Sequence, residues 1–237
     1  MDHLVTRVTW SGTLSEREQA QVRRLVTHRR LFAANSEIVP AGVRIDFSSV
    51  ILSGVSCRQK ILNSGVRQIT ALQISGDFCD LHSYMVKTME ESVFAITDCE
   101  VGIVPHKEID RVVEQEPNIA RQLWLYTLID ASIYREWIVS LGRRPVLSRL
   151  AHLICEMYLR LKAVGLVNGM SYSLPVTQQD ISDAMGTSLV HTNRTLARLR
   201  QERLATFANR AVTIHNWAEL QRVAEFDPTY LHLHLVE

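Results

Sequence analysis

Residues 174–200 read LPVTQQDISDAMGTSLVHTNRTLARLR, and they carry the clearest structural signals in the C-terminal part of the chain. Thr177, with Asp180 three residues later, is a variant of the capping box that begins a helix. Gly186 then supplies a tight turn, and Ser188 can cap a second helix. Two short helices joined by such a turn form a helix-turn-helix, whose second helix lies in the major groove of DNA. The stretch therefore predicts a DNA-binding motif.

Side chains on the outward positions of this motif suit contacts with DNA. Asn can pair with adenine edges and Arg with guanine edges, and Arg also suits phosphates. The candidate DNA-binding residues are Thr177, Gln178, Ser188, Val190, His191, Asn193, Arg194, Arg198 and Arg200. Taken alone, the pattern also fits an ordinary helix hairpin with a solvated basic face.

The next segment and the charge distribution favour DNA. Residues 204–207 and 212–214 suit two strands with Asn209 and Arg210 at the turn between them, so they predict a wing. The whole chain has 26 Lys and Arg against 25 Asp and Glu, yet residues 143–223 hold eleven basic and five acidic side chains. This local excess of positive charge is typical of a surface that binds a polyanion.

Upstream of the motif, regularly spaced glycines predict a β-sheet domain. Gly42, Gly54, Gly65 and Gly76 are 12, 11 and 11 residues apart and separate short apolar runs. Turn signals at this spacing are typical of a roll of short antiparallel strands. The candidate strands are residues 38–39, 43–47, 50–57, 68–74, 93–97 and 101–105, and a short amphipathic helix is expected at 15–26.

Residues 117–141 predict one long helix, because Pro117 suits a first turn and no Gly or Pro follows before Gly142. Apolar side chains recur along it at alternating spacings of 4 and 3, the pattern of a coiled-coil seam with one polar break. The seam residues are Ile119, Leu123, Tyr126, Asp130, Ile133 and Trp137. We expect the seam to join two copies of the chain, and burial of the helix inside its own chain is the alternative.

Gly142 and Pro145 then predict a hinge, which is followed by a further amphipathic helix at 146–161. The chain thus divides into a sensor domain at 1–116, a dimerisation helix and hinge at 117–142, and a winged helix-turn-helix domain at 143–237. The predicted fold class is α+β.

With these features the chain resembles the Crp/Fnr superfamily of bacterial transcription regulators, the family of the cAMP receptor protein. The resemblance rests on the roll, on the long helix that ends at Gly142, and most specifically on residues 174–188 and 193–200. It implies an N-terminal cyclic-nucleotide-binding-like β-roll (double-stranded β-helix) that senses a signal. It also implies a homodimer that joins through the long helix and binds a two-fold DNA site, with RNA polymerase as a possible further partner.

The chain departs from the cyclic-nucleotide-binding members in the roll. After residues 76–78 those members carry a Gly-Glu pair for the ribose and then an Arg-Ser pair for the phosphate. This chain has Asp80-Leu81 and Glu91-Ser92 at these positions. A carboxylate in place of the phosphate-binding cation repels an anion, so cyclic AMP is disfavoured. The candidate effector-pocket residues are Asp80, Leu81, His82, Glu91 and Ser92.

Other departures concern the operator and the cofactor. Leu189-Val190 stands where many members have Arg-Glu, which leaves the operator sequence open while the Arg194 position is kept. His82 or His106 could ligate haem, although an isolated His is more often structural. The first cysteine is Cys57, so the N-terminal cysteine cluster of an iron-sulfur sensor is missing. We therefore expect neither a cofactor nor a metal.

The remaining sequence patterns limit the classes of protein to which the chain can belong. The four cysteines are Cys57, Cys79, Cys99 and Cys155, and they form no Cys-x-x-Cys pair. They suit buried reduced thiols, and any redox role is left open. No signal peptide or membrane span is evident, so a cytoplasmic protein is expected. A cupin-like metalloenzyme is a remote alternative, whose only His-x-His pair would be His232 and His234. A DNA-binding regulator without a small-molecule effector, or one controlled by a protein partner, is the nearer alternative.

Overall fold

The computed structural model describes residues 1–10 and 12–233, and it begins with two helices that precede the roll. Helix α1 spans Asp2–Val8 and α2 spans Glu16–Leu25. The second begins at a capping box in which Ser15 and Glu18 satisfy each other's backbone N–H groups, so the helix predicted at 15–26 is confirmed. Helix α1 was not predicted from the sequence. It packs its apolar side chains against the roll and the long helix.

The roll consists of seven antiparallel strands in two sheets. They are β1 (His28–Phe32), β2 (Glu37–Val39), β3 (Phe47–Ser53), β4 (Ser56–Ile61), β5 (Arg67–Gln73), β6 (Ser92–Ala95) and β7 (Cys99–Pro105). One sheet has the order β1-β7-β3 and the other β2-β6-β4-β5. Side chains from both sheets share a buried apolar cluster that includes Val39, Ile51, Val93 and Val101. This arrangement confirms the predicted roll and the α+β class.

Two strand predictions need correction. The run at 50–57 is two strands, because Gly54 takes a φ of +92° and turns the chain between β3 and β4. A side chain at Gly54 would also collide with the backbone oxygen of Asp98. The run at 43–47 is mostly not a strand, since Arg44 forms only an isolated bridge with Thr88 and regular pairing begins at Phe47.

Three further helices are α3 (Ser83–Val86), α4 (His106–Gln115) and α5 (Pro117–Arg143). Helix α3 lies between β5 and β6, and α4 and α5 follow β7. Pro117 occupies the first turn of α5, as predicted. At about 1.5 Å per residue, this 27-residue helix is about 40 Å long. It lies against α1, α4 and β5, and it continues toward the C-terminal helices.

The predicted seam of α5 faces the protein's own core. The prediction that this seam joins two copies of the chain is therefore wrong. Ile119, Leu123, Tyr126, Ile133 and Trp137 are each at most 6% exposed within the single chain. The sixth seam residue, Asp130, pairs with a roll arginine. A surface already buried in the monomer has no area left to bury against a second copy. The alternating spacing identified an apolar face correctly, but spacing does not tell which partner covers that face.

The C-terminal elements are α6 (Val146–Ala163), β8 (Val167–Asn168), β9 (Ser171–Ser173), α7 (Gln178–Met185), α8 (Leu189–Gln201), β10 (Ala205–Ala208), β11 (Ala211–Ile214) and α9 (Trp217–Ala224), followed by a 3-10 turn at Pro228–Leu231. The predicted wing is confirmed as β10 and β11, whose turn places Asn209 and Arg210 at positive φ. It belongs to a four-stranded sheet of order β10-β11-β9-β8.

One apolar cluster extends from the roll through α5 and α6 to α8 and α9. It therefore crosses the boundaries predicted near residues 116 and 142, and the division into three domains stays a prediction. The four cysteines are free and buried, and burial raises the pKa of Cys57 to about 12.

Within the described part of the chain, no helix is both long and apolar enough to span a membrane. No group of three or more His, Cys, Asp or Glu side chains among the same residues is placed to hold a metal ion. His234, one half of the His-x-His pair, lies outside the residues that the structure describes.

Candidate nucleic-acid interface

The predicted helix-turn-helix is formed by α7 and α8. The Thr177 hydroxyl accepts the Asp180 N–H at 3.0 Å, and Asp180 Oδ2 accepts the Thr177 N–H at 2.8 Å. Gly186 ends α7 in the left-handed conformation with φ of +59°, which suits a residue without a side chain. The Ser188 hydroxyl then accepts the His191 N–H at 3.3 Å and caps α8. Each local signal in residues 174–200 acts as the sequence predicts.

The inward face of α8 fixes this helix on the domain. Thr192, Thr195, Leu196 and Leu199 are buried, and the two leucines join the apolar cluster formed with α6 and α7. Ile181 belongs to the same cluster from α7. The opposite face of α8 therefore points toward solvent.

All nine predicted DNA-binding residues are exposed to solvent: Thr177, Gln178, Ser188, Val190, His191, Asn193, Arg194, Arg198 and Arg200. They come from the start of α7 and from the outward face of α8. Arg198 Nε donates to Glu202 Oε1 at 2.6 Å, so this arginine has a local carboxylate partner. Their individual contacts with DNA stay predictions.

The positive charge predicted for the surface of residues 143–223 is partly wrong. Several of the arginines counted there are buried or pair with groups of the protein itself. Arg160 is buried and pairs with Asp77 and Glu156. Arg144 pairs with Glu136 at 2.7 Å, and Arg149 donates to the Met185 carbonyl. A count along the sequence does not separate such groups from surface charges. The exposed basic residues concentrate on α8 and on the turns around the wing.

The candidate effector residues are only partly brought together. A cavity of about 420 Å³ lies between the roll and α5, and Leu81, His82 and Glu91 line it. Asp80 is instead buried in the roll, where its Oδ1 accepts the Ser49 N–H and burial raises its pKa to about 7. Ser92 is buried on β6, opposite Gln59 of β4. Neither Asp80 nor Ser92 lines the cavity.

The principal charged group of this cavity, Arg58 on β4, was missed by the sequence analysis. It is 2% exposed, and its Nη2 donates to Oδ1 and Oδ2 of Asp130 on α5 at 2.7 and 2.8 Å. Its guanidinium also lies over the Tyr134 ring, 4.6 Å from the centroid. The cavity therefore contains a cation, but a carboxylate of the chain itself already binds it. Glu90 and Glu91 add further negative charge to the lining.

The two histidines considered as haem ligands lie in different surroundings. His106 is buried, and its Nε2 lies 3.3 Å from the Ser83 hydroxyl and 3.4 Å from that of Ser48. His82 lines the effector cavity and lies 3.9 Å from Glu90. Burial lowers the pKa of both rings, so their charged forms are disfavoured near neutral pH.

Comparisons with known proteins match this arrangement. Residues 148–223 match the family described as the Crp-like helix-turn-helix domain. The chain is 29% identical over 215 residues to a protein of Rhizobium leguminosarum bv. viciae named "Probable transcriptional activator", covering 90% of this chain and 87% of that one. It is 25% identical over 206 residues to the transcriptional activator protein FnrL of Cereibacter sphaeroides, covering 85% of this chain and 82% of the relative.

A solved structure extends the similarity to most of the fold. The structure of FixK2 from Bradyrhizobium japonicum superposes with a TM-score of 0.76 over 83% of this chain and 96% of that chain, at 23% sequence identity. At this level of identity the superposition bears on the fold alone.

The roll, the long helix and the exposed helix-turn-helix with its wing define a DNA-binding regulator. The matches support a regulator of the Crp/Fnr superfamily: residues 148–223 match the Crp-like helix-turn-helix domain, and most of the chain is similar to named transcriptional activators.

Proposed function

We propose that this protein is a homodimeric, sequence-specific transcription regulator that reads a two-fold DNA site through α8 and does not act as an enzyme. The observation that carries the proposal is the exposed outward face of α8, on which Asn193 and Arg194 can reach base edges. The neighbouring Arg198 and Arg200 suit phosphates. Some relatives are named activators, and we extend the proposal to activation by contact with RNA polymerase.

The proposed dimer uses the face of α5 that the chain leaves uncovered. Trp124, Leu128 and Ile138 are 69, 52 and 68% exposed. With Ala131 and Arg135 between them, they repeat at spacings of 4, 3, 4 and 3, which suits a parallel helix pair. Large apolar side chains in one exposed stripe favour an interface.

An apolar groove continues this stripe. It has a volume of about 680 Å³, and Met85, Val113 and Trp124 are among the residues that line it. A partner helix could bury this groove together with the stripe on α5. A two-fold axis along such a helix pair suits half-sites about 34 Å apart, one turn of the duplex.

We further propose that cyclic AMP is not the effector. An anionic ligand would have to displace Asp130 from Arg58 and lie beside Glu90 and Glu91. The internal pair favours the alternative in which the protein acts without a small-molecule effector or under the control of a protein partner. A ligand of other chemistry in the same cavity stays open to experiment.

Selection from a randomised duplex pool tests the proposal. The purified protein is incubated with the pool in three parallel reactions: alone, with cyclic AMP, and with the small-molecule fraction of a cell extract. We expect an inverted repeat to be enriched, with no gain from cyclic AMP. Enrichment only with the extract fraction would establish a ligand. Enrichment only with cyclic AMP would contradict the effector proposal, and no enrichment in any reaction would contradict DNA reading.

A further inference from the structure

The roll contacts the helix-turn-helix directly through the start of β5. Arg67 Nε donates to Asp183 Oδ2 at 2.5 Å, and Arg67 Nη2 donates to Asp180 Oδ1. Next to this pair, Gln68 Nε2 donates to the Ala184 carbonyl at 3.4 Å. Arg67 is 22% exposed and the two carboxylates are 9 and 13% exposed, so water screens these ion pairs only in part.

Through this contact the roll adds a positive charge to the helix-turn-helix, residues 174–200. Asp180 and Asp183 are the only acidic residues in positions 174–200, which contain Arg194, Arg198 and Arg200 as their basic residues. Arg67 comes from the roll, more than 100 residues earlier in the chain, and pairs with both carboxylates. The docked roll thus compensates the negative charge that the motif itself carries toward a polyanion.

The contact between the roll and α7 leaves the candidate DNA-binding residues uncovered. All nine candidate contact residues stay exposed while Arg67 holds α7. The contact lies on the side of α7 that faces β5. A roll that blocked DNA would cover at least part of this surface, so the docked arrangement is compatible with DNA binding.

We propose that Arg67 is a positioning residue for DNA binding, through which the roll orients and electrostatically supports the helix-turn-helix. This role rests on the proposed function. Holding α7 in place orders α8 before DNA arrives, which lowers the conformational cost of specific binding. The Arg67 clamp, meaning Arg67 with Asp180 and Asp183, gives the roll a direct contact with α7, and through α7 a connection to α8, in addition to the predicted hinge.

The clamp can be removed without removing the helix it holds. Asp180 Oδ2 accepts from both the N–H and the hydroxyl of Thr177, whereas Arg67 binds Oδ1. The capping box of α7 is therefore complete without Arg67. Substitution of Arg67 should loosen the docking of α7 while the helix stays formed.

The test compares full-length Arg67→Gln with wild type and with a matched control, Arg29→Gln. Arg29 also forms an ion pair, with Glu100 at 2.8 Å, but this pair joins β1 and β7 within the roll and does not involve the helix-turn-helix. Affinity is measured for the selected duplex and for a random duplex over a range of salt concentrations. We expect Arg67→Gln to weaken specific binding about tenfold and to lower the ratio of specific to random binding, with the control unchanged.

Further variants separate positioning from folding. Arg67→Lys keeps the charge and loses the forked geometry, so it should bind with intermediate affinity. In an Asp183→Asn background, Arg67→Gln should cause a smaller loss than in the wild-type background, because one partner is already absent. Hydrogen exchange of the α7 amides should be faster in Arg67→Gln than in wild type.

Three results would overturn the role of Arg67: equal affinity of Arg67→Gln and wild type, tighter binding by Arg67→Gln, or a loss on random DNA as large as that on the selected duplex. Tighter binding would mean that the contact restrains DNA binding. If wild type itself retains no duplex, the proposed function fails and the role of Arg67 fails with it. If wild type and Arg67→Gln both bind DNA with equal affinity, only the role of Arg67 fails, and the proposed function stands.

Discussion

Nη2 of Arg160 lies 2.7 Å from Oδ2 of Asp77, and this buried contact joins helix α6 to the turn after β5. Asp77 also accepts from Arg7 Nε at 2.6 Å, while Arg160 pairs with Glu156. Glu156 in turn accepts hydrogen bonds from the Trp137 indole and from a C-terminal tyrosine. One buried polar network therefore connects the N-terminal helix, the roll and the C-terminal helices.

Removing the shared carboxylate of this network should destabilise the fold strongly. Asp77→Asn leaves Arg7 buried without its anion and leaves Arg160 with Glu156 as its remaining anion. We expect the free energy of unfolding to fall by about 3–5 kcal/mol. Urea unfolding measures the change. The matched control is Glu100→Gln, whose partner Arg29 is largely exposed, and it should cost about 0–1 kcal/mol. Equal effects of the two substitutions would contradict the network.

Asp80 predicts a pH dependence of stability. Burial raises its pKa to about 7 in the folded chain, against about 3.9 when unfolded. The folded state therefore binds an extra proton between these values, so the stability contributed by the protonated group is full below about pH 4 and is lost as the pH rises through about 7.

Asp80→Asn keeps an oxygen that can accept the Ser49 N–H and removes the ionisation. We expect this variant to be more stable than wild type by roughly 2–4 kcal/mol at pH 8, with the difference shrinking toward pH 5. Thermal unfolding at both pH values checks the result. A difference that does not vary with pH would contradict the raised pKa.

Arg194 and Arg198 should differ in what they contribute to DNA binding. Arg194→Ala should weaken specific binding by about 1–3 kcal/mol and relax the preference at one base pair, because we propose that Arg194 reads a base edge. Arg198→Ala should weaken selected and random duplexes about equally and flatten the salt dependence, because we propose that Arg198 contacts phosphate. Equal losses of Arg194→Ala on both duplexes would contradict its specific role.

The proposed dimer surface predicts the effect of a charge on α5. Leu128→Glu places a carboxylate in the exposed stripe and should convert dimers to monomers in analytical ultracentrifugation, since the stripe would be desolvated in the dimer. Leu31 is 85% exposed on β1, so Leu31→Glu is a control that should stay dimeric. A dimer that survives Leu128→Glu and Ile138→Glu would place the interface elsewhere.

The sequence predicts the helix-turn-helix well because its signals are local. The Thr177 capping box, the left-handed Gly186 and the Ser188 cap each act within four residues of their own positions. The wing is predictable for the same reason, since its turn lies between two strands that are adjacent in the chain, and the turn residues take positive φ.

Features that depend on distant partners were not predictable. The predicted seam is covered by α1, α4 and the roll in its first half, and by the apolar cluster that includes α6 at Ile133 and Trp137. Arg58, Arg67 and Arg160 find partners 72 to 116 residues away, and no spacing rule connects such positions. Strand β1 was missed because four of its five residues are exposed, so the alternation of a half-buried strand is absent.

We propose that two copies of this chain read a two-fold DNA site through α8. Native mass spectrometry of the protein with the duplex enriched from the random pool counts the chains on each duplex. We expect two chains on one duplex, with an inverted repeat whose half-sites are centred about 34 Å apart. A single bound chain, or an enriched duplex without an inverted repeat, would contradict the claim.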